Sequence, residues 1–189
     1  MLIREAKSSD ANAVASFIVM AEKEMVRYFT GVEEPEEAAK RLLPLVLSPT
    51  SNRYSLANNL VAEIDGVPAG SIIHFPADRQ PELDILLLAQ IRSYGFDVDK
   101  LFFEGEPGTY YLSTMGVNPD FRGRGVGTAL MAAAEAKGIK LGFSLCSLLV
   151  STEKPKVQAM YERLGYRVIA DVSIAESHYR RMTKDIKPR

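Results

Sequence analysis

Arg122-Gly123-Arg124-Gly125-Val126-Gly127 follows the apolar run 110–117 and leads directly into an alanine-rich stretch, residues 126–137. The order is strand, tight turn, helix. Pro119 removes a ladder donor and ends the strand. The three glycines let backbone approach a ligand without Cβ obstruction and permit positive φ. Amides opening a helix have no partners within it, and the helix dipole adds partial positive charge there. Such a turn suits a phosphate or pyrophosphate, and Arg122 and Arg124 add guanidinium groups matched to phosphate oxygens. A tight turn with no ligand is the competing reading. Two other phosphate motifs fail: counted from Gly123, a dinucleotide fingerprint would need Gly where Thr128 stands, and no lysine lies between Gly127 and Thr128 as a P-loop requires.

Working outward, the spacing predicts a first strand over 2–6, then a helix over 11–28 with Ser8-Ser9-Asp10 as capping side chains. Pro35 opens a second helix reaching about Leu47, and residues 48–57 form a loop. Asp65-Gly66 between two apolar runs predicts a hairpin over 59–75. Leu83, Leu86, Leu87, Gln90 and Ile91 mark a helix over 81–94, followed by an irregular acidic stretch to Gly108. Gly138 and Gly142 punctuate before a strand over 143–150, and Pro155 opens a helix that Gly165 stops. Runs 167–172 and 178–184 predict an antiparallel pair. The expected fold is mixed α/β (α+β): one domain spanning 1–189, interrupted by an inserted segment at about 79–108.

Bulk properties narrow the function. A net charge of −1 gives no electrostatic case for nucleic acid. No apolar run reaches the roughly 18 residues that span a bilayer, and the charged start Met1-Leu2-Ile3-Arg4-Glu5 is unlike a signal peptide. A cytoplasmic location with no membrane partner is expected. Cys146 is the single cysteine and reads as a small buried apolar side chain; with only His74 and His178, no metal site is expected.

Arg122-x-x-Gly125-x-Gly127 resembles the coenzyme A signature of the GNAT (Gcn5-related) N-acetyltransferase family. The surroundings extend the resemblance to nearly the whole chain outside 79–108. Residues 3–10 are similar to that family's opening strand and helix cap, and Leu112–Pro119 to the strand before its coenzyme loop. Tyr161-Glu162-Arg163-Leu164-Gly165-Tyr166 is similar to its late helix and turn, and 178–184 to its closing strand. The resemblance implies an acyl-CoA N-acyltransferase fold, with a central mixed, mostly antiparallel twisted sheet flanked by helices. It implies acetyl-CoA as co-substrate, no metal, and direct attack of a primary amine in a ternary complex.

Residue roles follow from the same resemblance. Backbone at Met115, Gly116 and Val117 would pair with the pantetheine arm like an added strand. The Val117 amide, with Gly116 as a second candidate, would stabilise the oxyanion. Arg122, Gly123, Arg124, Gly125, Val126, Gly127 and Thr128 would hold the pyrophosphate, and Lys154 stands where an asparagine usually contacts the coenzyme. Tyr161, with an ordinary pKa of about 10, would protonate the departing thiolate as general acid. The strand from Phe143 would diverge from the Tyr110 strand and open a slot.

The acceptor side is less defined. The positions expected to face it, Tyr111 and Ser113, are not bases at neutral pH. Glu63, His74, Glu104 and Glu106 are base candidates from elsewhere, though each reads more simply as a solvated charge or hydrogen-bonded strand residue, and no one base is singled out. Segment 79–108 sets Glu82, Asp84, Asp97, Asp99, Glu104 and Glu106 against Arg79, Arg92 and Lys100. Lining the site, it would favour a cationic amine, whether small molecule or peptide; otherwise it is a solvated excursion. Its leucines need burial, for which a second copy in a homodimer is one candidate. A coenzyme A-binding sensor or assembly protein without turnover is the alternative function.

Overall fold

Asp65 and Gly66 both adopt left-handed backbone, φ 51° and 79°, and form a two-residue turn between β2 (Asn59–Ile64) and β3 (Val67–Pro76). Positive φ at both central residues matches the right-handed twist of the paired strands, so this Asp-Gly fixes the hairpin and its register, Ile64 opposite Val67. From it a seven-stranded sheet extends both ways in the order β1-β2-β3-β4-β5-β7-β6. The remaining strands are β1 (Leu2–Glu5), β4 (Tyr110–Val117), β5 (Leu145–Ser151), β6 (Arg167–Ile174) and β7 (Ser177–Asp185). All neighbours are antiparallel except β4 and β5. The computed structural model describes residues 1–96, 98–174 and 177–187.

Each face of the sheet has its own core. On one face Val61, Ile73, Phe75 and Tyr111 pack with α1 (Ala11–Ala21), α2 (Lys23–Thr30), α3 (Pro35–Val46) and α4 (Gln80–Ser93). On the other, Leu60, Ala62, Ile72, Tyr110 and Leu112 pack with α5 (Val126–Lys140) and α6 (Pro155–Arg163). The split follows from side-chain alternation along β2, β3 and β4.

Four expectations change. The helix expected over 11–28 is two helices, broken at Glu22, whose φ of −120° and ψ of 37° are not helical. Ser8 and Ser9 make no cap; instead the Asp10 carboxylate accepts the Lys7 N–H at 2.7 Å and pairs with Arg4 at 2.6 Å. Gly138 lies inside α5, because a Cβ there would come within 2.8 Å of the Tyr110 ring; it permits close packing and ends nothing. Finally, Leu83, Leu87 and Ile91 of α4 are fully buried beside Leu42, Leu45 and Val46 of α3. At about 1.5–3 kcal/mol per buried aliphatic side chain, these three side chains are satisfied within the chain, while Leu86 and Leu88 are half-buried against the same core and Ile85 is exposed.

Candidate active site

β4 and β5 pair at only two positions, Tyr110 with Cys146 and Tyr111 with Ser147. Beyond these the strands run on toward their C-terminal ends, β4 held by β3 and β5 by β7. The result is a wedge opening at the carboxyl ends of two parallel strands, where open sheets bind ligands. The Asn118 amide donates to the Ala69 carbonyl at 2.9 Å, which makes Ala69 and Asn118 a hydrogen-bonded pair. By antiparallel alternation Gly116 is the next residue turned toward β3, while Met115 and Val117 turn their N–H and C=O groups into the wedge. Of the two oxyanion candidates, Val117 therefore faces the slot and Gly116 does not.

A register shift between Ile72 and His74 sets Ser113 and Thr114 together opposite the single residue Ile73. This β-bulge reverses the alternation, as an extra strand residue must. Thr114, not Ser113, follows Tyr111 onto the face covered by α1. Gly116 lies on that face too, with Phe17 of α1 so close that a Cβ would meet its carbonyl oxygen at 2.3 Å.

The glycine turn stands at the wide end of the wedge. Gly123 and Gly125 have φ of 73° and 77°, and a Cβ on either would meet nothing within 4 Å. The first helical bond of α5 runs from the Ala129 amide to the Gly125 carbonyl, which leaves the Val126, Gly127 and Thr128 amides unpaired within the helix. Arg122 and Arg124 are exposed; the Arg124 guanidinium sits 5.3 Å from the Phe121 ring centre and Arg122 touches the Met20 sulfur at 3.6 Å. Neither forms an ion pair among the described residues. Two free cations beside unpaired helix amides and an open backbone fit a pyrophosphate.

Tyr161 is buried in α6, its ring 6.0 Å from that of Tyr166. Burial pushes its phenol up to about 12, so it holds its proton at neutral pH. Its hydroxyl has no hydrogen-bond partner among the described residues, yet is not sealed from solvent. Lys154, at the start of α6, reaches the Ala21 carbonyl at 3.4 Å. The last turn of α1 thus touches the glycine turn through Met20 and the head of α6 through Ala21.

The next residue is Glu22, which sequence reasoning passed over. Its carboxylate accepts hydrogen bonds from the Thr114 hydroxyl and, at 3.1 Å, from the Tyr54 hydroxyl. Burial, and then the nearby Glu104 charge, raise its pKa above the ordinary glutamate value. The only foreshadowing was composition: Ala21-Glu22-Lys23-Glu24 reads as a solvated helix face until the break at Glu22 turns it inward.

The proposed bases separate. Glu63 pairs with Arg4 at 2.6 Å on the far edge of the sheet. His74 is buried against the Tyr110 hydroxyl at 2.7 Å, and burial pushes its pKa down to about 3. Glu106 pairs with Arg181 at 3.1 Å. Glu104 alone joins the site: it accepts from Arg53 at 2.6 Å and from the Tyr111 hydroxyl at 3.0 Å. Arg53, fully buried, also grips Asp84. Of the other insert acids, Glu82 pairs with Arg79 at the surface, the Asp99 carbonyl accepts from Arg92, and Asp97 lies outside the described residues. Cys146 is fully buried and its thiol is pushed up to about 12 by burial. The described residues hold no cluster of three or more metal-ligating side chains, and no helix among them is long and apolar enough to cross a membrane.

Known proteins agree with this architecture. The acetyltransferase (GNAT) family model matches residues 18–166, and the chain belongs to that family. A crystal structure of an acetyltransferase superposes with a TM-score of 0.80 at 29% identity, covering 99% of this chain and 100% of the other. The N-acetyltransferase from Staphylococcus aureus Mu50 superposes at 0.83 with 18% identity, covering 97% and 100%, a likeness of fold. An acetyltransferase of Pectobacterium atrosepticum is 31% identical over 93 residues, 49% of this chain and 64% of that protein. The match thus spans just under two thirds of that relative.

Proposed function

We propose that this chain transfers acetyl from acetyl-CoA to a primary amine by direct attack in a ternary complex. The wedge carries the reading: a strand edge with the Met115 and Val117 backbone groups unpaired runs straight to an open glycine turn flanked by two unpaired arginines. The pantetheine arm would lie along Met115 to Val117 as an added strand. The pyrophosphate would take the amides of 123–128 with Arg122 and Arg124, and Lys154 would supply a charge at the head of α6. The Val117 N–H, turned into the wedge, would stabilise the acetyl oxygen as it gains charge during attack. Tyr161 gives its proton to the sulfur as the thiolate leaves.

Donor binding and turnover are measured separately. Acetyl-CoA at about 100 times its Kd stabilises the folded state by about 2.7 kcal/mol, a rise of roughly 5–10 °C in Tm for a chain of this size. No shift at millimolar acetyl-CoA overturns the donor site. Thiol release is then followed with butane-1,4-diamine, tyramine and a tetrapeptide bearing a free N-terminus. A thermal shift without thiol release on any of them favours the sensor over the enzyme.

A further inference from the structure

The geometry points to Glu22 as the group that takes the proton from the attacking amine, a role that rests on the acetyl-transfer reading above. Three contacts fix its place. Its neighbour Met20 touches Arg122 of the glycine turn, Ala21 touches Lys154 at the head of α6, and Glu22 itself touches Thr114 beside the bulge. The glycine turn, the helix of the general acid and the unpaired part of β4 all meet the last turn of α1. Glu22 therefore stands beside the wedge on the face covered by α1 and α2, across β4 from the α5 and α6 face.

Its surroundings suit a proton acceptor. Thr114 and Tyr54 donate one hydrogen bond to each carboxylate oxygen, which fixes the group. A carboxylate offers about four lone-pair sites, so two remain for an incoming N–H. The charges facing it are Glu104 from the coil after α4 and Arg53 from the loop before β2, with the phenols of Tyr54, Tyr111 of β4 and Tyr179 of β7 also within electrostatic reach. Asp84 and Glu104 both pair with the guanidinium of Arg53, which acts on Glu22 only electrostatically, so three carboxyl groups stand near one cation. That deficit of positive charge favours an acceptor arriving as a cation.

The step balances as follows. An ammonium acceptor first releases one proton to water. The nitrogen lone pair of R–NH2 forms the C–N bond, the C–S bond breaks with its electron pair on sulfur, and the departing sulfur takes the Tyr161 proton. The proton shed by nitrogen goes to Glu22, and exchange through solvent returns one to the Tyr161 phenolate. Amide and free thiol are the products.

The sign of the pH dependence follows. Glu22 accepts a proton only when ionised, so kcat/KM falls as pH drops through its raised pKa, an acid limb above the ordinary glutamate value of about 4.3 that adds to the fall set by protonation of the free amine. Glu104→Gln removes a like charge and moves that limb to lower pH. Glu22→Gln keeps the shape and an acceptor for one of the two hydroxyls, while its amide N–H faces the other as a donor; it lowers kcat by about 100-fold or more and abolishes the limb. It leaves the acetyl-CoA thermal shift intact. A Glu22→Gln rate within about threefold of the parent, or a parent profile with no such limb, overturns the assignment. So does a parent that binds acetyl-CoA yet releases no thiol with any of the three amines. Absence of the thermal shift in the parent instead refutes the donor-site reading on which the inference stands.

Discussion

Tyr161 and Glu22 illustrate how burial shifts two groups of opposite proposed role in the same direction. Both pKa values rise, because burial disfavours the charged form of either. For a general acid this costs little: a phenol near 12 stays protonated, and a leaving thiolate can draw its proton in the transition state. For a carboxylate base the same shift brings its pKa nearer neutrality, which strengthens it as a proton acceptor. Tyr161→Phe removes only the hydroxyl, which has no hydrogen-bond partner among the described residues, so the fold should keep its Tm within about 1 °C while kcat falls about 100-fold. Unchanged turnover in that variant removes the general-acid role. Tyr161 could be nominated from sequence because a short motif surrounds it. Glu22 could not, because its position depends on a helix break with no Gly or Pro to announce it.

At the scale of elements, most of the fold was legible where local chemistry dictates backbone. Asp65-Gly66 fixed a hairpin, Pro35 and Pro155 opened helices, and Gly165 with φ of 94° closed one. What escaped was set by contacts between elements. The bulge in β4 answers to its pairing with β3, and it reversed which residue, Ser113 or Thr114, faces α1. Gly138 looked like a stop and proved to be a packing contact with Tyr110. Gly116 and Gly127 show how such contacts divide structure from binding. A Cβ on Gly116 would lie 2.3 Å from the Phe17 backbone, so α1 must lift from β4 and carry Glu22 with it. Gly116→Ala should cost about 1–3 kcal/mol, lowering Tm by roughly 3–10 °C, and should depress turnover. A Cβ on Gly127 meets the flexible end of Met115 at 3.4 Å and Val117 Cγ2 at 4.0 Å, ordinary side-chain contacts, and replaces a helical glycine. Gly127→Ala should hold or raise Tm while weakening acetyl-CoA binding. Thermal melts with and without acetyl-CoA separate the two, and equal destabilisation in both would contradict this division.

Across the whole molecule, segment 79–108 has Arg53 as its most deeply buried fastening, beside the half-buried Glu106–Arg181 pair. Arg53 sits in the loop before β2 and holds Asp84 of α4 at 2.5 Å and Glu104 of the following coil at 2.6 Å. Glu104 in turn holds the Tyr111 hydroxyl on β4, and Gln80 donates to the Phe102 carbonyl and accepts from the Glu104 amide. The insert thereby brings a carboxylate to the edge of the proposed acceptor site and fixes it there. An arginine is suited to this, since its fork meets two carboxylates at once and it stays charged when buried. Removing it leaves two buried acids without their partner, a change that typically costs about 3–5 kcal/mol. Arg53→Met should therefore lower Tm by on the order of 10 °C. The exposed pair Arg27–Glu33, at 63% and 79% side-chain exposure, is the control. Arg27→Met should change stability by less than about 1 kcal/mol. If the insert is fastened as described, hydrogen exchange in Arg53→Met should rise first across α4 and the coil to Gly108, before the β2–β3 hairpin loosens. Uniform exchange across the chain would mean that Arg53 supports the whole core and does not specifically hold the insert to it.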